Sequence, residues 1–234
     1  MMEAIPGSKD KADMVIAVPD SLVEYSSFKP SYEQVELCRD KAKTAEVLGS
    51  LAPKTYWLRD TVGAGGKGAQ MLTNFLPGKN YSHEFVFYEG EELASFQKMR
   101  VSYSVKEKTE GIDNRGTSAV SVCTKNEDVA TAAYNALHRV SRATDSLLHG
   151  FYGVDLKEDE NGVPKVTEIN AGRLLTASYN YFYLTEYNLP LIGVQAFLGD
   201  PMQKLRDYPE GCGIVWQLGQ EAKPIDSSIT KTWQ

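Results

Sequence analysis

The stretch Phe151–Arg173, FYGVDLKEDENGVPKVTEINAGR, holds the side chains whose types and spacing best suit metal and phosphate chemistry. Two β-rich runs flank Asn161-Gly162, a dipeptide that tolerates positive φ at both positions and is a strong hairpin signal. A two-residue turn centred there places Asp155 directly opposite Glu168. Like charges in facing positions destabilise a sheet, and a divalent cation between them turns the repulsion into attraction. Asn170, two residues past Glu168, points to the same face with a neutral oxygen. Asp, Glu and Asn oxygens, with room left for water and phosphate, make a Mg²⁺ set. Arg173 follows, suited to bidentate phosphate contact. A solvated polar hairpin would account for residues 157–161. It accounts less well for Asp155 and Glu168, which stand among the apolar Val154, Leu156 and Ile169.

The elements around this hairpin are legible from pattern. Asp13–Asp20 reads as a short buried strand ended by Pro19. Ser31–Gly49 reads as helix. Ser31 and Gln34 form a capping-box pattern, and Val35, Cys38, Ala42, Ala45 and Leu48 supply the apolar stripe. A break or restart at Asp40-Lys41 is open. Lys54–Asp60 reads as a strand, and a glycine-rich loop with Gly63, Gly65, Gly66, Lys67 and Gly68 follows it. Such glycines let backbone N–H groups close around phosphate oxygens, although the spacing is not that of a Walker motif. Glu84–Tyr88 and Met99–Val105 read as an antiparallel pair with one wet face. Lys98 and Arg100 lie on that face, where they could meet an anionic substrate but read first as a solvated edge. Thr117–Cys123 reads as another strand. Asn126–His149 reads as the longest helix, capped by Asn126 and ended by Gly150. Tyr179, Tyr183 and Tyr187 recur at four-residue spacing in a further helical pattern.

GVDL…VTEINAGR resembles the metal-binding hairpin of the ATP-grasp superfamily, in the branch of carbamoyl phosphate synthase and related carboxylate–amine ligases. The resemblance runs from about Asp13 to Gly199. It implies an α+β fold in which residues 1–30 are the remnant of a truncated preceding α/β domain. Residues 31–234 would form the ATP-grasp domain, with a small, reduced lid at about 53–76. It implies that Asp155, Glu168 and Asn170 hold Mg²⁺ (or Mn²⁺) on ATP phosphates, with Arg173 beside the transferred phosphoryl group. Arg59 matches the family's phosphate ligand before the lid loop and joins Arg173 as a catalytic candidate. Lys41 matches the lysine that opens a helix and reaches the phosphates; on its own it reads equally as an exposed helix lysine. Asn74, Phe75 and Leu76 match the hinge that lines the adenine, while Thr73, Asn74 and Asn80 stand where Gln, Glu and Glu are usual. Arg115 matches the neighbourhood where the family binds its acceptor.

Composition sets the outer limits. The chain has 234 residues, 42% hydrophobic and 24% charged, ordinary for a globular protein. A net charge of −6 argues against a general nucleic-acid binder, and no apolar run is long enough to span a membrane. The three cysteines, Cys38, Cys123 and Cys212, form no CxxC pattern and are expected as buried thiols of a cytoplasmic protein. Two functions follow from the resemblance. One is an ATP- and Mg²⁺-dependent ligase that activates a small-molecule carboxylate as an acyl phosphate for attack by an amine. The other is a reduced nucleotide-binding or regulatory subunit, working as a homo-oligomer or with a partner chain that supplies the missing domain.

Overall fold

Ser31 starts the first helix, α1 (Tyr32–Arg39), by accepting a hydrogen bond from the Gln34 N–H on its side-chain oxygen. The expected capping box is not closed, because the Gln34 side chain is buried and committed elsewhere. It donates to the Ser146 carbonyl at 2.9 Å and accepts from the Tyr152 hydroxyl at 2.7 Å. The break left open at Asp40-Lys41 occurs, and the helical stretch is two helices. Asp40 leaves helical geometry (φ −87°, ψ 94°), and its carboxylate accepts from the N–H groups of Ala42 and Lys43. An acid in that role is a strong N-cap. It restarts the chain as α2 (Lys41–Leu48), followed by a 3₁₀ turn at Gly49–Leu51.

The computed structural model describes residues 23–24, 26–57, 71–103, 118–173, 188–199, 214–217 and 223–224. Strand β1 (Thr55–Trp57) pairs antiparallel with β2 (Met71–Thr73) as a small separate sheet. Then come β3 (Asn80–Tyr88), β4 (Glu91–Tyr103), β5 (Ser118–Cys123), α3 (Glu127–Thr144), β6 (Gly150–Glu158), β7 (Pro164–Ala171), α4 (Leu189–Leu198), β8 (Ile214–Gln217) and β9 (Lys223–Pro224). The main sheet has seven strands in the order β7-β6-β3-β4-β5-β8-β9, with every pair antiparallel. The expected α+β class holds. Arg59, Arg115, the glycine loop at 63–68 and the three tyrosines lie outside the described residues.

The two sheet faces have different duties. On one, Tyr81, Phe85 and Phe87 of β3 and Tyr152, Val154 and Leu156 of β6 alternate inward. They meet Val129, Ala133, Ala136, Leu137 and Val140, the buried stripe of α3. Asn126 caps α3 as expected, accepting from Asp128 and Val129. The helix ends at Thr144 rather than His149. Asp145 turns left-handed (φ 47°, ψ 39°), and Ser141 donates its hydroxyl to the Ser146 carbonyl. Short polar side chains that compete locally for backbone groups favour such an ending. On the other face, Val86, Ala94, Phe96 and Phe151 pack with Leu189, Ile192 and Ala196 of α4 and with Phe28. That apolar cover occupies only one end of the face. The other end is polar.

Cys38 is a buried free thiol whose pKa burial pushes up to about 12. Cys123 departs from the expectation of a lone thiol: it is disulfide-bonded.

His83 is the core's acid-sensitive member. It is 1% exposed, stacks on Phe85 with ring centroids 4.3 Å apart, and burial lowers its pKa to about 3. In the unfolded chain the imidazole titrates near 6.5. Between those two values the unfolded chain binds a proton that the native state refuses, so stability falls as pH falls through that window. His83→Phe is expected to make the decline shallower by about 1.4 kcal/mol per pH unit, measured as urea-unfolding free energies of both proteins across mildly acidic pH. Parallel slopes would show that another group carries the acid sensitivity.

Candidate metal and phosphate site

The β6–β7 hairpin reaches the expected pairing by an unexpected route. Gly162 has positive φ (+76°), but Asn161 does not, so the turn is not the two-residue type. Asp159 closes it instead. Its N–H donates to the Val163 carbonyl at 2.9 Å, and its carboxylate accepts from the N–H groups of Asn161 and Val163. The loop is Glu160–Gly162, a three-residue form with glycine in the left-handed position. Glu158 then faces Pro164, and Leu156 faces Val166, one residue out of step. A bulge at Thr167 restores the step, so Asp155 does face Glu168. The bulge also explains why Val166 and Ile169, three residues apart, both reach the apolar core.

Cross-strand pairing carries this register across the sheet. Glu168, Asp155, Ser82, Lys98 and Cys123 form one row over five strands, each opposite the next. The neighbouring row holds Asn170, Gly153, Glu84 and Phe96. The three expected metal ligands, Asp155, Glu168 and Asn170, therefore share one face on two adjacent strands.

Each of them meets a cation of the chain. Asp155 Oδ1 accepts from Ser82 Oγ at 2.7 Å and from Arg100 Nη2 at 2.6 Å; the same Arg100 nitrogen donates to Ser82 Oγ. Lys41 Nζ lies 3.7 Å from Glu168 Oε1. Arg173 donates from Nε (3.1 Å) and Nη2 to Asn170 Oδ1. Gly172 makes that return possible. Its φ is +85°, and a Cβ there would stand 2.5 Å from Val23 Cγ1. Lys41 reaches the hairpin because Asp40 restarts the helix just before it.

Lys98 and Arg100 are the residues that sequence reasoning misplaced. They are not a solvated edge, because β4 lies inside the sheet between β3 and β5. Lys98 pairs with Glu84 at 3.3 Å, with both side chains only 4% exposed. Burial lowers the Lys98 pKa, against the opposing pull of Glu84. The turn that joins β3 to β4 is Glu89-Gly90. Both residues have positive φ (48° and 88°), the two-residue hairpin geometry that Asn161-Gly162 does not adopt. Counting back from that turn, through the register shift beyond Val86, places Lys98 opposite Ser82.

The hinge residues lie beside the hairpin. The Asn74 N–H donates to the Lys54 carbonyl at 3.0 Å, Leu76 is buried, and Phe75 is 65% exposed with Lys157 Nζ 5.3 Å from its ring centre. Burial lowers the Lys157 pKa.

The donor set suits a hard cation. Two carboxylates and a carboxamide supply only oxygen. Among the described residues Asp155 Oδ2 makes no hydrogen bond, and no group of three or more His, Cys, Asp or Glu offers a rival site.

No family model and no curated protein matches the chain. Solved structures do. The chain is similar to an L-amino acid ligase from Bacillus licheniformis at 14% identity and TM-score 0.53, over 79% of this chain and 56% of that one. It is similar to N5-carboxyaminoimidazole ribonucleotide synthetase from Thermotoga maritima at 14% identity and TM-score 0.58, over 83% and 61%. It is also similar to phosphoribosylglycinamide synthetase from Anaerococcus prevotii at 10% identity and TM-score 0.57, over 79% and 57%. The chain thus spans less than two thirds of the length of these structures. Likeness at this identity concerns the fold, and the fold is that of the ATP-grasp superfamily.

Proposed function

We propose that the chain is an ATP- and Mg²⁺-dependent ligase of the carboxylate–amine type. The observation that supports it is the facing pair Asp155 and Glu168, with Asn170 on the same face and Arg173, Arg100 and Lys41 around them. Oxygen ligands beside guanidinium and ammonium groups suit a metal–polyphosphate better than either a bare metal or a bare anion. In this reading the γ-phosphoryl group passes from ADP oxygen to a carboxylate oxygen of the substrate. An amine then attacks the acyl carbon, phosphate leaves with the C–O bond, and the amine's proton goes to solvent.

Residue roles follow from charge and position. Asp155, Glu168 and Asn170 would hold Mg²⁺, or Mn²⁺ in its place, and the metal when bound neutralises charge on the phosphate oxygens. Arg173 and Arg59 would steady the transferring phosphoryl group, and Lys41 would contact the polyphosphate. Gly63, Gly65, Gly66 and Gly68, with Lys67, would close over the phosphates. Asn74, Phe75 and Leu76 would line the adenine. Residues 1–30 would belong to a preceding domain and about 53–76 to the lid of a domain spanning 31–234, in a cytoplasmic protein. Among the described residues no helix is long and apolar enough to cross a membrane.

A second reading, a nucleotide-binding subunit without turnover, is favoured by one observation. The Asn74 N–H at the hinge is already committed to Lys54, so one backbone donor is withdrawn from a base. ADP release separates the two readings. The ligase is expected to release ADP from Mg²⁺-ATP when a panel of carboxylates and amines is supplied. A nucleotide-induced rise in Tm without release under any pairing would leave the second reading, and no Tm shift at millimolar nucleotide would end both.

Glu168→Gln tests the metal assignment directly. The Lys41–Glu168 pair is exposed, with Lys41 at 57%, so its loss is expected to cost about 0–1 kcal/mol of apo stability. A neutral amide is a poor ligand for a hard cation, so the Mg²⁺-dependent part of the nucleotide-induced Tm shift should vanish. A mutant that keeps the full shift while losing apo stability would make Glu168 a structural acid.

A further inference from the structure

We infer that Glu158 is a positioning residue that holds the hinge at a fixed distance from the metal row, so that one nucleotide meets both. This rests on the nucleotide reading given above, in which Asn74, Phe75 and Leu76 line the base while Asp155 and Glu168 hold the metal. Glu158 acts on the hinge through the chain that follows it. On its other side the hinge is tied toward the small sheet, where the Asn74 N–H donates to the carbonyl of Lys54, just ahead of β1. Toward the main sheet the chain runs through Pro77 to Gly78 and Lys79, and one residue receives it there. The Gly78 N–H donates to the Glu158 carbonyl at 3.0 Å, and the Glu158 N–H donates to the Lys79 carbonyl at 3.0 Å. The Lys79 N–H donates to Glu158 Oε2 at 3.1 Å, and the Tyr81 hydroxyl donates to Oε1 at 2.8 Å.

Each part of this clamp has a physical reason. A carboxylate is the stronger kind of acceptor for a backbone N–H. Tyr81 belongs to the core under α3. Burial, and then the bond to Glu158, raise its pKa, so the phenol keeps its proton and goes on donating. The carboxylate thus joins the chain at Lys79 to the core. Gly78 permits the close approach, because a Cβ there would stand 2.5 Å from Glu158 Cβ and 3.0 Å from its carbonyl oxygen. Pro77 has a fixed φ and restricts Leu76 before it, so a shift at Gly78 passes to the hinge rather than being absorbed. Glu158 itself lies three residues beyond Asp155 on β6. The ladder of that strand with β3 runs in step from Gly150 opposite Phe87 to Lys157 opposite Asn80. Hinge and metal row are therefore set from one strand.

Separating base from polyphosphate tests this role. The probes are Mg²⁺-ATP and Mg²⁺-tripolyphosphate, titrated calorimetrically into the full chain; the second carries the phosphates without a base. Wild type is expected to bind ATP at least about tenfold more tightly than tripolyphosphate. Glu158→Ala is expected to lose that preference and to hold tripolyphosphate within about twofold of wild type. A side chain that served stability alone would move both ligands or neither. Glu158→Gln keeps an oxygen for the Lys79 N–H and should keep the preference. A Gln variant that loses it would assign the effect to charge and overturn the inference. If Glu158→Ala does not fold, Gly78→Ala carries the test from the other side of the contact, since its methyl group drives the chain away from Glu158. The same selective loss is expected. An unchanged preference in either folded Ala variant, or an equal loss for both ligands, overturns the inference. The underlying reading fails differently. Wild type that binds tripolyphosphate without preferring ATP would remove the base from the hinge, and the inference with it, but leave the phosphate site. Wild type that binds neither would end the nucleotide reading itself.

Discussion

Backbone pairing on both sides of β3 is the constraint on which the site depends. β3 is bonded to β4 along one edge and to β6 along the other over nearly all of its length. That double ladder fixes Lys98, Ser82 and Asp155 opposite one another, and β7 adds Glu168 to the row. Side chains alternate with a period of two, so a slip of one residue would send this whole row into the apolar core. The core enforces the register in turn. Tyr81, His83, Phe85 and Phe87 of the same strand fill the opposite face under α3. A polar site of this kind is held in place by the apolar residues between its members.

The Asp155–Glu168 pairing was legible in the sequence although the turn was not. Centring the hairpin on Asn161-Gly162 gave the right partners because two offsets cancel. The loop takes Glu160 as a third residue, and Thr167 is bulged out of the ladder. Burial is the physical reason for the correction. Without the bulge, the alternation that turns Val166 inward would turn Ile169 and Ala171 away from the core and bring Glu168 and Asn170 into it. The cost of burying a carboxylate in an apolar core far exceeds that of one bulge. Helix starts were equally legible, since Ser31, Asp40 and Asn126 all act as caps. The end of α3 was not, because a run of moderate helix formers continues past Thr144. The left-handed turn at Asp145 is stabilised by contacts of Ser141 and Ser146 that no periodicity reveals.

Lys98 and Arg100 show a different limit. An alternating strand with charges on one face reads as half-exposed wherever its neighbours are unknown. Only the strand order, with β4 between β3 and β5, turns those charges inward. Once there, each is forced to find a carboxylate, and the two nearest on that face are Glu84 and Asp155. The charge on Asp155 is therefore not an unrelieved repulsion awaiting metal, as the sequence alone suggested. It is already matched at 2.6 Å.

That match changes what the facing carboxylates mean. Two acids opposed on a bare hairpin would make a cation a structural necessity, and metal would then be expected to stabilise the fold on its own. Here Arg100 is the more buried and more tightly held partner of Asp155, while Lys41 stands loosely on the exposed side of Glu168. The asymmetry points outward, toward Lys41 and the solvent. A group that enters from that side must satisfy carboxylate oxygens and guanidinium nitrogens together. In the proposed reading a metal–polyphosphate would meet both demands, with Glu168 and Asp155 holding its cation and the bases its oxygens.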